Sequence, residues 1–166
     1  MTDRTEAERL LRQLYAARSR GDLKGVCNSF TADAKFQIAG ASNGGVLAMT
    51  ADGTSELAAL LAIMIKTFRL SELEILSLLI DGAKAAVHWR AKVYSRISGE
   101  TTPTELIDMI TLRDGRIASY VELFVAALER EGGQVRQLRT GSWAGRPGGW
   151  TAFTTARAGR QPARAS

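Results

Sequence analysis

Apolar positions along the first twenty residues recur with the period of a helix. Leu10, Leu11, Leu14, Tyr15 and Ala17 share one face, and Asp3 with Glu6 forms a capping box ahead of them. Gly21 ends that helix, and Asp22 caps a second, short one carrying Leu23, Val26, Cys27 and Phe30. Lys35 to Ala39 alternates like a strand, and the Gly/Ser/Asn-rich stretch Gly40 to Gly53 reads as a loop. A third helix is predicted over 55–68, with Leu57, Leu60, Leu61, Met64 and Phe68 on its inner face. From Leu70 the period changes to two, which predicts strands over 70–80, 83–97, 101–112 and 117–127. They break at Asp81-Gly82, Ser98-Gly99 and Asp114-Gly115. In the second of these strands Ala85, Val87, Trp89, Ala91 and Val93 point one way, while Lys84, His88, Arg90, Lys92 and Arg96 point the other. The expected class is α+β, with helices on one curved sheet.

The 166 residues suffice for one domain with a full core, and 45% hydrophobic with 23% charged residues is the composition of a globular protein. Charge divides the chain. Residues 1–131 carry all 17 acids and are nearly neutral, whereas 132–166 hold six arginines, seven glycines and no acid. The expectation is a domain over 1–131 and a basic, disordered tail over 132–166. Six arginines spread over that tail, with Trp143, Trp150 and Phe153 among them, are too sparse for a nucleic-acid site to be expected. The N-terminus lacks a secretory profile, and the longest apolar run, Leu57 to Ile65, is too short for a membrane span. Cys27 is alone, so neither a disulfide framework nor a cysteine metal site is expected. A cytoplasmic protein is the default.

Candidate chemistry centres on the last hairpin. Its arms are mostly apolar, yet the first carries Asp108 and the second Glu122. Burying an ionised carboxylate is costly unless it is paired, protonated or used. Register decides whether the two acids meet. A two-residue type I′ turn at Asp114-Gly115 would set Asp108 opposite Val121. A three-residue loop with a glycine bulge would put the even-numbered residues of both arms on one face. His88 lies on the outward face, at an exposed or interface position.

The order of elements, with Gly21-Asp22-Leu23, Val87 to Arg90 (VHWR), Glu105 to Asp108 (ELID), Arg113 to Ile117 (RDGRI) and Val121 to Phe124 (VELF), resembles the SnoaL-like family over roughly residues 5–130. That family lies within the superfamily of nuclear transport factor two and ketosteroid isomerase. The resemblance implies a cone-shaped fold of three N-terminal helices on a strongly bent, mainly antiparallel sheet, often as a homodimer. It also favours the register that turns Glu122 inward. Relative to ketosteroid isomerase, Asp108 matches a protonated aspartic acid of the oxyanion hole. The phenol position falls at Leu14, with Tyr15 one place off, and the general-base position falls at Ile38. Relative to limonene epoxide hydrolase, Glu122 matches the water-activating carboxylate, whereas the companion arginine and second acid fall near apolar Trp89 and Ala91.

The cavity so implied is lined by Trp89, Ala91, Val93, Ile110, Tyr120 and Phe124, with Ile38 on its wall and Leu14 and Tyr15 closing it. Glu122 is the candidate base, Asp108 the acid or oxyanion donor, and Tyr120 an orienting hydroxyl. One of two nearby carboxyls in such a pocket is expected to have a raised pKa. The implied function is binding of a small, mainly apolar molecule, with cofactor-independent isomerase, cyclase or hydratase chemistry. The alternative is a non-catalytic ligand-binding or dimerisation module. Neither metal nor cofactor is expected. The outer sheet face, apolar at Ile107 and Met109, is the expected homodimer surface.

Overall fold

The computed structural model describes residues 3–42, 45–125, 128–131 and 134–137. Helix α1 (Arg4–Arg20) starts where the Asp3 side chain accepts from the Thr5 N–H, 3.1 Å away. It ends at Gly21, whose φ of 67° is left-handed; the Asp22 N–H reaches Ala17 O at 2.9 Å and the Gly21 N–H reaches Arg18 O at 3.1 Å. That pair of bonds is a Schellman cap. Asp22 then caps α2 (Leu23–Cys27) through the Gly25 N–H. Strands β1 (Phe30–Ser42) and β2 (Gly45–Asp52) precede α3 (Gly53–Thr67). Next come β3 (Phe68–Asp81), β4 (Lys84–Ser95), β5 (Thr101–Arg113) and β6 (Arg116–Phe124).

These six strands form one sheet in the order β2-β1-β6-β5-β4-β3, antiparallel except for the parallel β1/β6 pair. Its inner face packs on α1 and α3. Two register shifts interrupt β3, one between Ser71 and Glu74, which contains Glu72 at φ 53°, and one between Ile75 and Ser77. Such bulges bend a strand and sharpen the twist of its sheet. The core gathers Leu11, Leu14, Val26, Phe36, Leu57, Leu61, Val87, Leu106 and Ile117 between helices and sheet.

Residues 40–53, expected as a loop, include β2. Gly40 to Ser42 extend β1, and Gly45 to Asp52 pair back along it, from Ser42 opposite Gly45 to Lys35 opposite Asp52. Ladder pairing against β1 overrides the weak strand preference of a segment rich in Ala and Gly. At the other end, β7 (Leu128–Glu131) pairs with β8 (Gln134–Gln137) outside the main sheet, across the expected domain boundary. Residues 132–133 and 138–166 of the expected tail lie outside the described residues.

Candidate active site

The β5–β6 turn combines both registers weighed above. Asp114 and Gly115 have φ of 52° and 69°, and Arg113 pairs with Arg116, as in a two-residue type I′ turn. The register then shifts between Thr111 and Leu112, absorbing Ala118 as a bulge, so that Thr111 faces Ser119 and Asp108 faces Glu122. The bulge thus lies in β6 rather than in the turn. Its effect is to place Leu106, Asp108, Ile110, Tyr120 and Glu122 together on the buried face, while Met109 is 49% exposed on the other.

Strand β4 adds Val87 opposite Asp108 and Trp89 opposite Leu106. Over this face α1 lays Leu11, Leu14, Tyr15 and, one turn on, Arg18. Four side chains converge on Asp108, which is fully buried. Its Oδ2 accepts from the hydroxyls of Tyr15 and Tyr120 and, at 2.6 Å, from Trp89 Nε1. Arg18 Nη1 lies 3.9 Å from that oxygen and donates to the Tyr120 hydroxyl at 2.7 Å. The same Nη1 is 2.7 Å from Glu122 Oε2, and the guanidinium sits 5.0 Å from the centre of the Trp89 ring. Asp108 Oδ1 is buried with no hydrogen-bond partner among the described residues.

Burial pushes the Asp108 carboxyl up to about 7, the Glu122 charge adds to that, and Arg18 with the two phenols pulls the other way. Burial also raises Tyr15 and Tyr120 well above a free phenol, Arg18 opposing the shift at Tyr120. For Arg18 burial disfavours the charge, but Glu122, Tyr120 and Asp108 more than offset it, so the guanidinium stays protonated. The result is an acid–arginine–acid cluster. Trp89 and Ala91 remain apolar, and the guanidinium arrives instead from a helix. Tyr15, one place off in sequence, supplies a phenol to Asp108 where Leu14 could not.

A pocket of about 380 Å³ opens beside the cluster. Glu122, Arg18, Ile38, Trp89, Val93 and Phe124 are on its wall, together with Leu61, Met64, Leu70 and Leu106. Asp108 and Tyr120, candidates for direct contact with a substrate, lie outside that wall; so do Leu14, Tyr15, Ala91 and Ile110, all buried. These six fill the core next to the cavity rather than facing it. Arg18 is the member of the cluster that the sequence alone does not single out, although Leu11, Leu14 and Arg18 stand at i, i+3 and i+7 on one helix face. His88, half-buried on the outer face, pairs with Glu105 at 2.5 Å.

The model of the SnoaL-like domain matches residues 11–120. The chain belongs to the SnoaL-like family. Solved structures with the same fold include an NTF2-like protein from Burkholderia xenovorans LB400, 25% identical with a TM-score of 0.63 over 75% of this chain and 93% of that one. A proposed isomerase from Bacillus subtilis is 19% identical, with a TM-score of 0.66 over 76% and 91%. An LEH-like epoxide hydrolase from M. tuberculosis is 20% identical, with a TM-score of 0.58 over 73% and 84%. No curated protein sequence matches significantly. For this SnoaL-like domain the family supports small-molecule binding at the level of the fold. Among the described residues no helix is long and apolar enough to cross a membrane, and no group of three or more His, Cys, Asp or Glu could hold a metal ion.

Proposed function

We propose that the pocket binds a small, mainly apolar molecule and that Glu122 acts on it as a general base. The observation that carries this reading is the place of Glu122: it is the one carboxyl among the described lining residues, beside a guanidinium and otherwise mostly apolar walls. With a bound ketone or enone, Glu122 would take a proton from the carbon next to the carbonyl. The C–H electron pair then moves into the carbonyl, and the oxyanion so formed is stabilised by Arg18, whose charge acts strongly in an apolar site. Return of the proton from Glu122 to another carbon of the conjugated system shifts the double bond. Cyclisation or hydration would use the same base, on carbon or on water respectively.

Asp108 is a positioning residue in this scheme. It holds the Tyr15 and Tyr120 hydroxyls and the Trp89 indole, and through Tyr120 it fixes Arg18. The test is hydrogen exchange. Incubating the protein in D₂O with a panel of apolar ketones should bring deuterium into the position beside the carbonyl. Glu122→Gln should slow this by about 10²–10⁴-fold, the usual worth of a general base. Unchanged exchange in the variant would exclude Glu122 as the base.

A second reading, a non-catalytic ligand-binding module, draws on the 2.7 Å contact between Arg18 and Glu122, since a carboxylate held by a guanidinium can be purely structural. No exchange with any ketone, alongside measurable binding, would favour it. Homodimerisation through the outer sheet face is supported by the row Leu79, Ala86, Met109 and Val121, in which Leu79 is 67% exposed. Sedimentation of Met109→Lys against the unaltered chain tests that surface.

A further inference from the structure

The boundary of the pocket is electrically unbalanced. Its lining holds four arginines, Arg18, Arg20, Arg69 and Arg96, and one acid, Glu122. Arg18 and Glu122 match each other inside. The other three are exposed and come from the end of α1, the start of β3 and the residue after β4. Arg20 has only a loose contact with Asp22, at 3.9 Å. Arg69 lies over the Tyr94 ring at 5.4 Å, and neither it nor Arg96 has a carboxylate partner among the described residues. Positive charge around an apolar hollow focuses the field and draws anions to it.

Resting on the cavity reading above, we propose that the ligand is an amphipathic anion, with its apolar body in the hollow and its acidic group at the rim of Arg20, Arg69 and Arg96. Orientation follows from the charges. A carboxylate driven inward would meet Glu122, whereas one left at the rim meets the guanidinium groups of Arg20, Arg69 and Arg96. The inner end of the ligand is then its apolar or carbonyl-bearing part, the end that Arg18 and Glu122 can reach. Ile38, Leu61, Met64, Leu70, Val93 and Phe124 provide apolar surface for the body.

The experiment compares decanoate with decanol on the full chain at low salt, following the Trp89 indole N–H by NMR. Decanoate is expected to bind about ten-fold more tightly. That advantage should shrink as NaCl screens the rim. It should also fall by about two- to five-fold for each arginine removed in Arg69→Gln and Arg96→Gln, the worth of an exposed ion pair. Both positions are exposed, so the variants should melt like the parent. Decanol binding as tightly as decanoate would overturn the rim and leave the cavity reading intact. So would an advantage unchanged in the double variant. Failure of both probes to bind would overturn the cavity reading itself.

Discussion

Arg18→Met removes the one cation from a cluster that holds two buried acids. In the native fold Arg18 Nη1 is 2.7 Å from Glu122 Oε2 and 2.7 Å from the Tyr120 hydroxyl, and its side chain is 10% exposed. The methionine keeps much of the apolar stem and its packing on Trp89, so the loss reports charge and hydrogen bonding. Two effects add: a hydrogen bond from a charged donor is lost, and Glu122 is left buried without a counter-ion. Breaking a buried pair from one side typically costs about 3–5 kcal/mol. At about 2–4 °C per kcal/mol for a chain of this size, the melting temperature should fall by roughly 6–20 °C. Urea denaturation at pH 7 measures the cost directly, and a double variant with Glu122→Gln should recover at least half of it, because the two residues share one interaction. Acidification should narrow the gap, since protonated carboxyls need no cation. A cost below about 1 kcal/mol, or an equal cost with and without Glu122→Gln, would refute the cluster as the organising feature of this site.

Asp108 makes a separate prediction in pH. Its folded pKa of about 7 lies above the unfolded value near 4, so the folded protein holds a proton that the unfolded chain has released. Its contribution to stability is therefore fully present below about pH 4 and is lost as pH rises through 7, a change of at most roughly 4 kcal/mol. The stability difference between the parent and Asp108→Asn, measured from pH 4.5 to 8.5, should slope accordingly; parallel curves would contradict it. Tyr15→Phe deletes one donor to Asp108 Oδ2 and should cost about 1–2 kcal/mol in urea, while raising the Asp108 pKa further. Gly21→Ala puts a Cβ on a residue at φ 67°, 3.3 Å from Ile65 Cγ2. It should cost about 1–2 kcal/mol, and a neutral result would mean that the cap relaxes.

The helices and the meander were legible because each is written in local chemistry. Asp3 and Asp22 cap, Gly21 terminates, and glycine-containing turns separate the strands of alternating residues. Strand β2 was not, because its partner β1 supplies through hydrogen bonding what the segment lacks in preference. The shared face of Asp108 and Glu122 was open to sequence reasoning only as one of two registers. The turn obeys one rule and the bulge at Ala118 undoes its consequence two residues later, a non-local outcome of packing Ile117 and Tyr120 on the same face. Arg18 was hidden by its own chemistry. A charged residue near a helix end reads as a dipole partner in solvent, and only the two acids it meets on the sheet, Asp108 and Glu122, give it a reason to turn inward.

The central claim is that Asp108 belongs to a buried cluster that exchanges a proton near neutral pH beside the pocket. Titration of ¹³C-labelled carboxyl groups by NMR tests it most directly. A single resonance with a midpoint near 7, absent in Asp108→Asn and moving in step with the Trp89 indole proton, is the predicted result. All carboxyl groups titrating near 4, with the indole unresponsive, would contradict the account.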